Sequence, residues 1–506
     1  MIAEETRLML TLKTDLNNSR SLNERSSIDL GPAAPGRFPH DKMVIFLLLG
    51  FGWLGWPVVA QEEGPKGGQP DRPPMNVVVL VADDQRFDSL GIAGNPNIHT
   101  PNLDRLAAGG IRFDRAYVTT SICMSSRASI LTGQYMSRHK IDRFGQPLTA
   151  EQFRNSYPGL LRANGFYSGF VGKYGVGGVR AEDFDVALDY SGRHWVKIDG
   201  EEVHVTERNA RDAIHFLEHR PRDRPFQLSV SFFAPHAEDS AAQQYLPQAW
   251  SAEFYRDVQI PVSPRMGPEF REALPEFLRT EKNEGIVRFH WRFDSSEKYQ
   301  QSMINYFRLI TEVDEAVGRI IEKLREQQVL DQTLIVYLGD NGYFHAERGL
   351  ADKWYPYEES IRVPLLVWDP RLPAEKRGLL IDQMALNIDI APTVLQAAGL
   401  VVPPEIQGED LSQLYLGTDS AKGRDSWREE FFYEHPTISN RDRIPASQAV
   451  VTPKFKYVFW PEWDYEQLFD LNDDPDELTN RVTDPAYQQT RDALRQKMAS
   501  WRQSVR

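Results

Sequence analysis

Three short runs in this chain are dominated by apolar residues: residues 76–82 (NVVVLVA), 226–234 (FQLSVSFFA) and 333–338 (TLIVYL). A strand with one wet face alternates apolar and polar residues, whereas a strand covered on both faces reads as a continuous apolar run. The runs are too short for ordinary buried helices, so they are expected as central strands. Residues 104–108 read as a helix that Gly109-Gly110 stops. Across 301–328, Met303, Tyr306, Ile310, Val313, Val317, Ile320 and Leu324 step by three and four, the period of an amphipathic helix. Strands alternating with helices predict an α/β fold with a mainly parallel sheet covered by helices on both faces. Ligands of such sheets bind beyond the carboxyl ends of the strands. After about residue 415 short aromatic runs such as 455–460 (FKYVFW) alternate with Asn/Asp/Pro turns, which predicts a smaller antiparallel appendage.

What lies before the first run bears on compartment. Residues 43–60 (MVIFLLLGFGWLGWPVVA) follow Lys42 and end in small residues, the pattern of a signal peptide cleaved near Ala60. Gly50, Gly52, Gly55 and Pro57 make the run a poor membrane span, so no stable span is expected. Residues 1–42 are polar and without period, and read as a non-native or disordered extension; 61–74 is a charged, Gly/Pro-rich linker. The mature protein is therefore expected to be secreted or periplasmic, with a core domain over 75–415 and a C-terminal subdomain over 416–506. The chain of 506 residues has one cysteine, which excludes an internal disulfide and a cysteine-held metal cluster. Its net charge of −14 argues against nucleic acid as a partner, since phosphate neutralisation needs a basic face. That charge leaves a small anionic substrate open, because a few local cations can dominate one pocket.

Polar residues gather where the apolar runs end. Asp83-Asp84 follow the first and Asp340-Asn341-Gly342 the third. Two such pairs at neighbouring strand ends offer oxygen ligands to a hard divalent cation, and no histidine or cysteine accompanies them in sequence, which favours calcium or magnesium over zinc. The same residues are also common turn and cap formers. The lone Cys123 opens CMSSRASILTG, a helix-like stretch in which Arg127 falls on the same side one turn later. A thiol at a helix start beside a cation is expected to have a lowered pKa; the alternative is a small buried core residue. Lys173 (VGKYGVG), His236 (APHAED) and Lys353 (GLADKWYPYEES) add two cations and a candidate proton donor. Together these are the parts needed to hold and cleave a tetrahedral oxyanion.

CMSSRASILTG resembles the signature of the type I sulfatases, in which the cysteine is oxidised to formylglycine. Further segments fall in that family's order: VVLVADDQRFDSLG, TPNLDRLAAGGIRFDRAYV, VGKYGVG, FFAPHAED, LGDNGYFHAERGLADKWYPYEESIRVPLLV, NIDIAPTVLQAAG and LFDLNDDPDELTN. The resemblance implies an alkaline-phosphatase-like three-layer α/β/α core with a smaller C-terminal sheet. It also implies a formylglycine-generating enzyme as a maturation partner and a sulfated small molecule or polysaccharide as substrate. Matched residue by residue, Asp83, Asp84, Asp340 and Asn341, with modified Cys123, correspond to the Ca2+ (or Mg2+) ligands. Arg127 corresponds to the arginine that steadies the formylglycine, Lys173 and Lys353 to the sulfate-holding lysines, and His236 to the histidine that binds the sulfate or protonates the leaving oxygen.

The chemistry explains why a thiol alone does not suffice. Sulfur bonded to sulfate would stall turnover, whereas a hydrated aldehyde has one hydroxyl to attack and a second whose deprotonation expels sulfate. Three positions depart from the common pattern. Ser125 stands where Pro or Ala is usual, Gly175 where a histidine often assists elimination, and Ala346-Glu347-Arg348-Gly349 where GEHG is common. His345 is then expected as a substitute base, and Arg348 as a further cation near the substrate. The stretch 237–300, with Trp250, Phe254, Tyr255 and Arg288-Phe289-His290-Trp291-Arg292, is expected to stack on a sugar chain and pair with its sulfates. Two other functions fit the same residues: a phosphate or phosphonate ester hydrolase of the same superfamily, and a non-catalytic binder of sulfated glycans.

Overall fold

Strand β1 (Asn76–Ala82) is buried along its whole length, and the two faces of its pleat feed two different cores. The structure is a computed structural model that describes residues 74–417 and 426–505. On one side Val77, Val79 and Val81 pack with Ala128 and Leu131 of helix α2 (Cys123–Thr132) and with Ile390 and Val394 of a later helix. On the other, Val78, Leu80 and Ala82 pack with Leu103 and Leu106 of α1 (Pro101–Gly109), Ala213 of α3 (Val205–His219) and Val313 of α5 (Ser296–Glu326). Helix α4 (Glu284–Arg292) precedes α5. Each fully buried Val or Leu on these faces stabilises the fold by about 1.5–3 kcal/mol relative to exposure. The α/β class read from the apolar runs is the one observed.

The main sheet joins β1 to β2 (Ile111–Phe113), β3 (Tyr167–Gly172), β4 (Val186–Asp189), β5 (Phe226–Phe232), β6 (Thr333–Gly339), β7 (Leu365–Trp368) and β8 (Leu379–Ile381) in the order β8-β2-β7-β6-β1-β5-β3-β4. Only β7 runs against the others. The register is flush at one edge: Ala82 lies opposite both Phe232 and Gly339, and Gly172 opposite Ser231. Asp83, Lys173 and Asp340 therefore emerge side by side from three strands of one sheet. The run 226–234 stops pairing at Phe232 because its partner β1 ends at Ala82. The amphipathic helix starts a turn before the expected position, where Ser295 caps it by accepting the Lys298 N–H at 3.2 Å.

The C-terminal part is a four-stranded antiparallel sheet, β9 (Phe431–His435), β10 (Ser447–Val451), β11 (Phe455–Trp460) and β12 (Tyr465–Asp470), followed by helix Gln488–Ser504. Tyr433, Trp460 and Phe469 bury against Ile122 and Met124 beside Cys123 and against Trp354, Tyr355 and Tyr357 beside Lys353. The appendage is thus bonded to the two segments that matter most for chemistry. No helix among the described residues is long and apolar enough to cross a membrane. The expected leader at 43–60, the extension before it and nearly all of the 61–74 linker lie outside the described residues.

Candidate active site

Nine side chains singled out in sequence converge at the carboxyl edge of β1, β3, β5 and β6. Asp83, Asp84, Asp340 and Asn341 are all fully or almost fully buried. Asp84 adopts a left-handed backbone (φ 64°), which turns the chain sharply at the strand end and gives its N–H to Asp340 Oδ1 at 3.1 Å. Asn341 donates its Nδ2 to Asp84 Oδ1 at 2.6 Å and to Asp340 Oδ1 at 2.9 Å. That fixes the amide so that its Oδ1 is left as an acceptor.

Three cations enclose these carboxylates. Arg127, on the second turn of α2, donates Nε to Asp340 Oδ2 at 2.8 Å and Nη1 to the Lys173 carbonyl at 2.6 Å and to Ser231 Oγ. Its Nη2 lies 3.3 Å from Asp83 Oδ2. Lys173 bonds the same Asp83 oxygen, and Lys353 bonds Asp84 Oδ1. His236 gives Nδ1–H to the Ala237 carbonyl at 2.6 Å, which presents Nε2 3.5 Å from Asp84 Oδ2. A histidine therefore does accompany the carboxylates in space, although none does in sequence.

Burial opposes ionisation of Asp83, but Lys173, then His236, Arg127 and Lys353 outweigh it and hold the carboxyl well below its ordinary range. Burial, with Asp83, Asp352 and Asp340 close by, pushes Asp84 up despite Lys353; burial and Asp83 do the same to Asp340. So many carboxyl groups in one dry site call for a cation. Asp83 Oδ1 and Asn341 Oδ1 are buried without a hydrogen-bond partner, and Asp83, Asp84 and His236 can each bring a ligand atom within 4.8 Å of the others. Orphaned oxygens in an acidic cluster fit a hard divalent ion.

Cys123 is the first residue of α2 and is 7 % exposed. Its thiol pKa is raised, not lowered as expected: burial dominates, Asp83 and Asp340 add to it, and Lys173 and Lys353 offset only part. Ser125 is locked away, its hydroxyl donating to the Ile141 carbonyl at 2.6 Å. Gly175 has φ +75°, and a Cβ there would lie 2.8 Å from Arg127 Cδ. A histidine at 175 would collide with the arginine as it is held here.

Neither His345, expected as the substitute base, nor Arg348, expected as a further cation near the substrate, is in place. His345 is buried among aromatic rings, 4.4 Å from Tyr306 and 5.2 Å from Tyr343, and it is the Tyr306 hydroxyl that reaches the Asp84 carbonyl, at 2.8 Å. Burial drives the His345 imidazole well below its ordinary pKa. Arg348 is 1 % exposed and is spent on the C-terminal part, with Nη2 2.7 Å from the Asp476 carbonyl and its guanidinium 4.3 Å from the Tyr357 ring. Arg288 and Arg292 are also committed, to Asp239, Glu284 and Asp352, so they are not free to meet a sulfate. Sequence reading missed Asp352, which lies 3.6 Å from the Lys353 ammonium, and Ser231, which holds Arg127. The second had a visible signal: a serine near the end of a buried central strand needs a polar partner.

The sulfatase family model matches residues 75–400, which is most of the chain. The chain belongs to the sulfatase family. A second model, for the C-terminal part of N-sulphoglucosamine sulphohydrolase, matches residues 346–504. Among similar proteins, an N-acetylglucosamine-6-O-sulfatase of Bacteroides thetaiotaomicron is 26 % identical over 83 % of this chain and 85 % of its own length. An arylsulfatase of Clostridium perfringens is 27 % identical over 83 % and 92 %. The human N-sulphoglucosamine sulphohydrolase is 25 % identical over 85 % and 90 %. A solved structure in complex with D-glucosamine-2-N,6-O-disulfate superposes with a TM-score of 0.71 (24 % identity, covering 85 % of this chain and 98 % of that one). The phosphonate monoester hydrolase of Agrobacterium radiobacter shares the fold at a TM-score of 0.70 (22 % identity, 85 % and 96 %). As a member of this family the protein is a sulfuric ester hydrolase.

Proposed function

We propose that this sulfatase hydrolyses a sulfate ester on a carbohydrate, with formylglycine made from Cys123 and a divalent ion, calcium or magnesium, held by Asp83, Asp84, Asp340 and Asn341. One observation carries the reading: a single cysteine opens a buried helix beside two lysines, an arginine and two orphaned carboxylate and amide oxygens. Formylglycine would supply a geminal hydroxyl as nucleophile, and the ion would supply Lewis acidity toward the attacked sulfate.

The rest falls to the chain's own groups. Lys173 and Lys353 keep their protons because carboxylates outweigh burial, and their ammonium groups balance charge on the sulfate oxygens. Arg127 ties Asp83 and Asp340 into one geometry and braces α2 under residue 123. His236 commits its Nδ1–H to a carbonyl, so its Nε2 carries a proton for the leaving oxygen only when the ring is an imidazolium. Removing one such charge contact costs about 2.7–4 kcal/mol of barrier. Sulfated sugars as the substrate class rest on the relatives named above, which act on N-acetylglucosamine-6-O-sulfate and N-sulphoglucosamine as their names state. Export through a leader at 43–60 belongs to the same proposal, as the formylglycine-generating enzyme would meet the nascent chain on that route.

The test is peptide mass spectrometry across residue 123 on protein from its native secretory route, with sulfate release measured from aryl and sugar sulfates. The reading expects formylglycine at 123 and loss of activity in Cys123→Ala. Only unmodified thiol at 123, or phosphonate esters turned over faster than sulfate esters, would overturn it.

A further inference from the structure

Between the 237–300 stretch and α5 lies a cavity of ≈ 320 Å³ lined by no side chain assigned above to the reaction. Its floor is a set of interlocked groups. Arg292, 1 % exposed, gives Nε to Gln244 Oε1 at 2.5 Å, and Gln244 gives its own Nε2 to the Asp239 carbonyl at 3.2 Å. Asn305 donates to the Tyr245 carbonyl at 3.1 Å and accepts from Arg308 at 3.1 Å. Above this floor Trp291 is 46 % exposed, and the Arg288 guanidinium backs its ring at 4.9 Å. The side-chain amides of Gln243 and Gln301 are exposed in the same wall and have no hydrogen-bond partner among the described residues.

The basic groups around it are already matched with acids: Arg288 with Asp239 at 2.5 Å, Arg292 with Asp352 at 3.0 Å, and Lys298 with Asp294 at 2.7 Å. An open aromatic ring, two uncommitted amides and no uncommitted cation suit an uncharged sugar ring. Its apolar face would lie on the indole and its hydroxyls on the amides. A sulfate group would find no free charge there. Arg292 also ties the cavity to the reaction centre, because Asp352, which it holds, lies 3.6 Å from the Lys353 ammonium.

We propose that this cavity is a subsite for an unsulfated sugar residue of the same chain whose sulfate ester is cut. The proposal rests on the carbohydrate reading above. It reverses the sequence expectation for this stretch, which paired its arginines with sulfates.

The experiment compares the parent enzyme with Trp291→Ala and Gln301→Ala on a small aryl sulfate and on sulfated oligosaccharides of increasing length. Calorimetry with the fully desulfated oligosaccharides runs alongside. In the parent, kcat/KM rises when an unsulfated residue is added next to the sulfated one. In Trp291→Ala the ratio of kcat/KM on that substrate to kcat/KM on the aryl sulfate falls about tenfold, through KM. Gln301→Ala lowers the same ratio by less, and desulfated oligosaccharide binds the parent more tightly than either variant. An equal loss on both substrates, or a gain that requires a second sulfate on the added sugar, overturns the subsite. Sulfate release from glycans without any binding of the desulfated chain overturns the subsite alone. Failure to release sulfate from any glycan overturns instead the substrate class on which it rests.

Discussion

Arg348 separates what sequence suggests from what packing decides, and Arg348→Met tests the difference. As a cation near the substrate it would cost affinity when removed and little stability. As placed, its guanidinium donates to the Asp476 and Glu477 carbonyls at 2.7 and 3.4 Å, lies 3.5 Å from Glu477 Oε2 and 3.8 Å from Glu359 Oε2, and stacks on Tyr357. Deleting one member of a buried ion pair costs about 3–5 kcal/mol because the other charge is stranded. Here the carboxylates keep other partners, Lys456 at 2.6 Å for Glu477 and Arg265 at 3.5 Å for Glu359, so the low end applies, about 3 kcal/mol. At about 2.1 cal/mol/K of unfolding entropy per residue, a chain of this size shifts its midpoint by about 1 °C per kcal/mol. The thermal midpoint is then expected to fall by about 3 °C. At a temperature where both proteins are folded, kcat/KM on an aryl sulfate is expected to stay within about threefold, the scale of 0.7 kcal/mol. An unshifted midpoint together with a large rise in KM would refute the structural assignment of this arginine and return it to the substrate.

Calcium added to chelator-treated enzyme should raise the melting temperature by about 3 °C at a hundredfold excess over its dissociation constant, a stabilisation of about 2.7 kcal/mol; Asp83→Asn should abolish that shift. Gly175→Ala, at φ +75° with its new Cβ 2.8 Å from Arg127 Cδ, should displace the arginine and lower kcat at least tenfold; an unaffected kcat would mean that Arg127 is not held as described. Glu312, buried with Oε2 lacking a hydrogen bond and 3.6 Å from His204 Nδ1, has its pKa pushed up from 4.5 to about 7, mainly by burial. In that window the folded state holds a proton that the unfolded state has lost, so this group's contribution to stability is fully present below pH 4.5 and disappears as pH rises through about 7. The melting temperature of the parent relative to Glu312→Gln should therefore drop between those pH values by the equivalent of up to about 3 kcal/mol, and a pH-independent difference would contradict it.

The chain itself determined a great deal here. Apolar runs on the scale of a strand fix a sheet covered on both faces, because nothing else buries every side chain of so short a segment. Since such sheets end in loops, the polar residues just after the runs, Asp83, Asp84, His236, Asp340 and Asn341, could be named from local order alone. Register and burial were not local. Only the pairing of Ala82 with both Phe232 and Gly339 brings three strand ends flush, and only the packed turn after the C-terminal sheet, through its Asp476 and Glu477 carbonyls, holds Arg348 away from the reaction centre. His345 is four residues from Asn341 and Arg348 five from Lys353, yet both face elsewhere, because a side chain's direction depends on strand pleat and turn conformation. For the same reason Cys123, expected to be acidic beside its cations, has a raised pKa: the charges are visible in sequence, but the desolvation that outweighs them exists only once the chain is packed.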